Sequence, residues 1–145
     1  MSDLAAARKA FLYKVEEYAA GQSSRFAPVL DELIRWSGEN GLEFSHHDGI
    51  HDLVKFTVPG ASKAFWSVTP RTGDGAKFTL LTDPRFPESL RTEARGELAQ
   101  IDPKADATKS VPELAFTKLI WEPYRERVLK LMGRLLDRVR NPAAA

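Results

Sequence analysis

Three short runs of β-branched and aromatic residues between Asp52 and Thr82 constrain the fold of this chain more than any other feature. Turn-forming residues separate the runs, first at 59–62 and again at 70–75. Runs of this composition between turn signals are typical of antiparallel strands joined by hairpins. The pair Gly73 and Gly75 precedes a strand rather than a helix, which favours a hairpin turn over a phosphate-binding loop. The sequence therefore predicts an antiparallel meander over about 52–82.

Alternation within the three runs predicts which side chains share a face of the sheet. One set of alternate positions is apolar throughout, and the other set is mostly polar. This pattern is typical of a sheet that is buried on one side. The apolar set is Val54, Phe56, Val58, Ala64, Trp66, Val68, Ala76, Phe78 and Leu80, and the opposite set is Leu53, Lys55, Thr57, Phe65, Ser67, Thr69, Lys77, Thr79 and Leu81.

Apolar residues at spacings of three and four predict four helices around the meander, at about 2–20, 25–37, 87–100 and 123–140. Residues 42–44 suggest a further short strand. Residues 115–121 favour a strand over a helix, although 110–113 also matches a helix capping box. The sequence thus predicts a single α+β domain over residues 1–145, with an antiparallel sheet of three or four strands and about four helices.

The composition excludes several classes of protein and of site. The absence of cysteine rules out disulfides, a cysteine nucleophile and thiolate metal sites, and it fits a cytoplasmic protein. Every apolar run is too short to span a membrane, and the first residues lack the pattern of a signal peptide. We therefore expect no membrane partner and no cofactor, while the oligomeric state stays open.

Positive charge is concentrated towards the C-terminus. Residues 1–52 carry five Lys or Arg against nine Asp or Glu, whereas residues 53–145 carry sixteen against eleven. In the terminal helix, spacings of three and four place four cations on one face. That face fits a phosphate backbone or an acidic protein surface, and the helix dipole accounts only for basic residues in the last turn. The four cations are Arg127, Lys130, Arg134 and Arg138.

The polar face of the meander is a second candidate for binding. Lys55 and Lys77 lie on it beside the aromatic ring of Phe65, and Arg71 lies in the following loop. An aromatic ring among cations can stack a base while the cations contact phosphates. The alternative is a solvated face, or one that a helix covers.

The three histidines of the chain lie close together in the segment that enters the meander. His46, His47 and His51 offer imidazoles for acid–base catalysis, and His47, Asp48 and His51 offer ligands for a metal ion. On an extended segment His47 and His51 point to the same side. The alternative is a polar turn, since the His-Glu-x-x-His pattern is absent.

The order of these features resembles a family of small uncharacterised bacterial α+β domains, which occur alone or fused to predicted restriction-type nucleases. The resemblance covers about the C-terminal two-thirds of the chain, and it implies a non-catalytic module that acts near nucleic acid. No site residue follows from it, because none is assigned in that family. The matching segments are 54–56, 64–70, 77–81 and a closing helix after 119–121.

Three functional hypotheses follow from the sequence. The first is a non-catalytic binding module for nucleic acid or for an acidic protein partner, which uses the basic helix or the polar sheet face. The second is a small metal-dependent or histidine-based hydrolase. The third is a self-associating structural or regulatory protein.

Overall fold

The central sheet of the computed structural model, which describes residues 2–45, 53–103, 105 and 111–141, is antiparallel, and its strands follow chain order. Within those residues it has five strands, where the sequence predicts three or four. The middle three are the predicted meander, and the turn between β3 and β4 is the predicted hairpin. The strands are β1 (Glu43–Ser45), β2 (Val54–Val58), β3 (Lys63–Arg71), β4 (Gly75–Leu80) and β5 (Glu113–Ala115).

Four α-helices accompany the sheet in the described residues, close to their predicted positions. They are α1 (Ser2–Tyr18), α2 (Gln22–Glu39), α3 (Glu88–Ile101) and α4 (Glu122–Arg140). The α+β class is therefore confirmed. The largest shift is at α2, which begins three residues earlier than predicted and so holds Pro28 inside the helix.

The prediction of a strand over 115–121 is wrong for most of its length. The strand ends at Ala115, and Phe116–Ile120 form a 3₁₀ helix. Phe116 and Leu119 are buried three residues apart, which is the repeat of a 3₁₀ helix. The Phe116 ring lies 4.6 Å from the Phe26 ring of α2 and so fixes this segment to the helical layer.

Because β3 contains a bulge, the side chains on the two faces of the sheet differ from the prediction. Phe56 pairs with Trp66 but Thr57 pairs with Ala64, so Phe65 is an extra residue in β3. A bulge interrupts the alternation of side chains between the two faces. Phe65 consequently stacks with Trp36 of α2, and the neighbouring Trp66 also bonds to α2. Phe65 is fully buried, so it belongs to the core rather than to the polar face.

The core lies between the sheet and the helices. Side chains of α1, α2, the sheet and α4 form one buried apolar cluster. Gly75 begins β4 with φ of 98°, and a Cβ atom there would lie 3.1 Å from the ring of Phe26. Glycine is therefore required at this point of the hairpin for two reasons, its backbone conformation and the close approach of α2. Among the described residues, no helix combines the length and apolarity needed to cross a membrane.

Candidate binding site

A groove on the surface joins α2, the 3₁₀ helix and the first turn of α4. Its volume is about 240 Å³, and we call it the α2–α4 groove. The apolar part comes from α2 and from the end of the 3₁₀ helix, while three charged side chains stand around it. The lining residues are Arg25, Pro28, Val29, Glu32, Ile120 and Arg125.

Trp121 directly follows Ile120, one of the groove residues, and its side chain is exposed. It lies between the 3₁₀ helix and α4 in an extended conformation, and it is 55% exposed. The Trp121 ring meets the Tyr124 ring edge to face, with 4.2 Å between the ring centroids. Tyr124 is packed against the core, so it holds the Trp121 ring in place from one side. Of the large apolar residues in the described ranges, the only other exposed one is Tyr13.

Arg125 fixes the geometry of the groove. Its Nε donates to Glu32 of α2 at 2.8 Å, and its Nη1 donates to the carbonyl oxygens of Leu119 and Ile120 at 2.9 and 3.3 Å. The side chain is only 15% exposed. One guanidinium therefore ties together the three elements that form the groove. Arg25, by contrast, is exposed and makes no hydrogen bond or ion pair within the described residues.

The basic face of α4 lies against acidic residues of α3. Arg134 and Arg138 both pair with Glu93, the former at 3.5 Å. Arg127 lies 3.7 Å from Glu97 and also donates to Gln100. Lys130 is exposed. Three of the four cations in the predicted stripe are thus engaged by α3, which lowers the positive potential of this face.

The polar face of the sheet is largely buried in its central strands. Ser67, Thr69 and Thr79 are at most 4% exposed, and the hydroxyl oxygens of Ser67 and Thr79 are 2.5 Å apart. Lys77 is half-buried and lies 3.6 Å from Glu113. Lys55 is also half-buried. With Phe65 in the core, the described residues of this face include no exposed ring of the kind that base stacking requires.

Arg71 lies at the end of this face, in a cleft of about 130 Å³ shared with Asp74, Asp102 and Glu113. Its guanidinium forms two hydrogen bonds with Asp74, at 2.9 and 2.8 Å. The hydrogen bonds to Asp74 raise the pKa of Arg71, with partial burial opposing them and nearby carboxylates adding to them. The carboxylates thus compete with any external phosphate for this predicted binding residue.

The predicted histidine site, with His46, His47, Asp48 and His51, lies outside the described residues. Within the described ranges, no group of three or more His, Asp or Glu side chains is placed to hold a metal ion. The catalytic and metal hypotheses therefore stay predictions.

The α2–α4 groove and Trp121 are not among the binding residues that the sequence predicts. Spacing alone does not distinguish Trp121. It lies three residues before Tyr124 and so continues the spacing of the apolar stripe of α4, through Val128 and Leu131, although its side chain is exposed. Comparison with protein-family models, with curated proteins and with solved structures gave no match.

Proposed function

We propose that this protein is a non-catalytic binding module, which takes up an acidic segment of a protein partner in the α2–α4 groove. Trp121 is the anchor of the interaction, and Tyr124 supports its ring. Arg25 supplies the charge that selects an acidic segment. The resemblance to small bacterial α+β modules implies the same non-catalytic role.

The exposed ring of Trp121 carries this proposal. Burying a tryptophan yields more apolar free energy than burying almost any other side chain, and tryptophan, tyrosine and arginine dominate the binding energy of protein interfaces. Trp121 is 55% exposed and already held by Tyr124, so little conformational entropy is lost when a partner covers it.

Charge favours an acidic protein segment over nucleic acid. Arg25 is unpaired within the described residues, whereas the charge of Arg125 is balanced by Glu32. A carboxylate on the partner would meet Arg25 at the rim of the groove, where charge chiefly steers association. The α4 face that would follow a phosphate backbone is partly neutralised by Glu93 and Glu97.

The test is to screen a randomised peptide display library against the full chain and to titrate selected peptides by calorimetry. We expect peptides that combine an apolar or aromatic anchor with Asp or Glu. Trp121→Ala should weaken their binding by about 30-fold, the effect of a typical interface hot spot. Arg25→Glu should weaken it less and should reduce its dependence on salt.

The matched control is Tyr13→Ala, which removes the other exposed aromatic side chain from α1. It should leave peptide binding unchanged. Equal losses in Tyr13→Ala and Trp121→Ala would contradict the proposal, as would selected peptides without acidic residues. Tight binding of a 20-base DNA, insensitive to Trp121→Ala, would favour the nucleic-acid hypothesis instead.

A further inference from the structure

Arg91 is a buried cation with part of its hydrogen-bonding capacity unused. It lies in the first turn of α3 and is 5% exposed. Its Nε and Nη2 atoms are buried, and neither has a hydrogen-bond acceptor among the described residues. A guanidinium cannot shed its proton in a protein, so burial does not neutralise it. A buried charge with unsatisfied donors is unfavourable and calls for an explanation.

The unused edge of Arg91 is the one that holds oxyanions. Nε–H and Nη2–H are parallel and match the two oxygen atoms of a carboxylate or the oxygens of a phosphate. Other arginines of this chain use the same edge on aspartates, and all of them are far more exposed than Arg91. They are Arg8 on Asp31 (2.6 and 2.9 Å), Arg71 on Asp74 (2.9 and 2.8 Å) and Arg85 on Asp83 (3.0 and 2.8 Å).

The surroundings of Arg91 favour an anion. Long side chains in a helix point towards its N-terminus, where α3 begins after Pro87 without a side-chain cap. That end of the helix carries partial positive charge. The neighbouring carboxylate, Glu88, is engaged by Arg95 at 2.5 Å. The pKa of Glu88 is lowered first by that hydrogen bond, against some desolvation, and further by the charges of Arg95 and Arg91.

We infer that Arg91 is the centre of a binding site for a small oxyanion, whose two oxygen atoms accept hydrogen bonds from Nε and Nη2. The Glu88 carboxylate responds to the charge of Arg91, but it is hydrogen-bonded to Arg95 and leaves Nε and Nη2 of Arg91 without an acceptor. The site is at the start of α3, and none of its residues lines the α2–α4 groove. The inference is therefore independent of the proposed function.

The experiment is calorimetric unfolding of the full chain in rising phosphate or acetate, at an ionic strength held constant with sodium chloride. We expect a saturable rise in Tm, of roughly 5–10 °C when the anion is at 100 times its Kd. A steeper response to phosphate than to acetate assigns the site to phosphate, and the reverse assigns it to carboxylates. Arg91→Gln should abolish the saturable rise, and Arg91→Lys, which keeps the charge without the parallel donors, should raise Kd at least tenfold.

Arg8→Gln, which removes an exposed arginine of the same geometry, is the matched control and should respond like the native chain. A rise that never saturates, or one that persists in Arg91→Gln, overturns the inference, because phosphate also stabilises proteins generally. If Arg91→Gln does not fold, the inference is tested by NMR on the native protein, through the chemical shifts of the Glu88 and Ser89 amides. Saturable shifts on adding phosphate or acetate support the site, and unchanged shifts with both overturn it.

Discussion

At the scale of single residues, the hydroxyl of Ser37 is a polar junction inside the core. It accepts a hydrogen bond from the indole nitrogen of Trp66 at 2.7 Å and donates to the carbonyl oxygen of Leu33 at 2.8 Å. Ser37 and Trp66 are both fully buried. One hydroxyl thus satisfies the only polar atom of the largest core side chain and fixes the sheet against α2.

Ser37→Ala should lower the free energy of unfolding by about 1–3 kcal/mol, because the Trp66 N–H stays buried without its acceptor. Urea denaturation followed by tryptophan fluorescence measures the change. Ser24→Ala is the control, since the exposed Ser24 hydroxyl only bonds to the nearby carbonyl oxygen of Gly21. Equal effects of the two substitutions would contradict a special role for Ser37.

Because of Asp83, the free energy of unfolding should depend on pH in the acidic range. The side-chain hydrogen bonds from Arg85 lower the pKa of Asp83 from its ordinary 3.8 to about 2, against a smaller desolvation effect. The folded state therefore favours the ionised carboxylate. Its contribution is complete above about pH 4 and is lost as the pH falls through 2.

We expect the difference in unfolding free energy between the native chain and Asp83→Asn to shrink as the pH falls from 6 to 2. Denaturant unfolding at several pH values measures this difference. Arg85→Gln should show the same trend, since it removes the partner that lowers the pKa. A difference that stays constant over this range would refute the assignment.

At the scale of elements, α2 receives its N-terminal cap from the preceding helix. The Glu16 carboxylate accepts hydrogen bonds from the backbone amides of Gly21 and Ser23, at 2.8 and 3.3 Å, and from the Ser23 hydroxyl at 2.6 Å. Gly21, the residue before α2, is left-handed and gives no side-chain cap. This cap explains why α2 begins earlier than the sequence predicts.

Glu16→Gln should lower Tm by roughly 2–4 °C, the effect of losing a helix cap in a chain of this size. Circular dichroism during heating measures it, with Glu17→Gln as the control from the next position. The Ser23 hydroxyl and the Gly21 amide lower the pKa of Glu16 below its ordinary 4.5. The difference should therefore fade when the pH drops below that value, and a difference that persists there would argue against the cap.

Elements whose signal is local were predictable from the sequence. The stripes of α1 and α4 and the three runs of the meander each repeat within one segment, so periodicity places them within a few residues. The bulge at Phe65 leaves no such trace, because it depends on how two strands pair. The end of β5 at Ala115 could not be predicted either. Over so few residues, the alternation of a strand and the three-residue repeat of a 3₁₀ helix cannot be told apart.

The candidate site was less predictable for the same reason. An exposed tryptophan and a buried one look alike in sequence, and only the structure shows that the Trp121 ring is exposed and meets the Tyr124 ring. The partners of the basic stripe could have been predicted from the sequence. Glu93, Glu97 and Gln100 recur at spacings of four and three, which makes them a complementary face on α3.

At the scale of the whole molecule, the pairing of α3 with α4 sets the potential that a polyanion meets. Arg127, Arg134 and Arg138 all face carboxylates of α3, although Arg134 is still 52% exposed. The uneven charge of the sequence is thus partly cancelled by folding. The nucleic-acid hypothesis depends on whether these ion pairs leave the arginine side chains able to contact phosphates.

Glu93→Gln should raise the affinity for a 20-base-pair DNA, because it releases Arg134 and Arg138 at once. The slope of log K against log salt should steepen by up to about 2, close to one unit for each new phosphate contact. Fluorescence anisotropy at several salt concentrations measures both. Glu39→Gln removes the same charge at an exposed position of α2, and it should change neither the affinity nor the slope. Equal slopes in the two variants would contradict this account.

The brevity of the outer strands has a consequence for the behaviour of the protein in concentrated solution. β1 and β5 each have three residues, and the chain turns from β5 directly into the 3₁₀ helix. Fibres of the cross-β kind grow when a long, flat edge offers a row of free amides to another chain. As far as the described residues extend, these edges are short templates for such growth, so we expect the folded protein to add strands from other chains poorly.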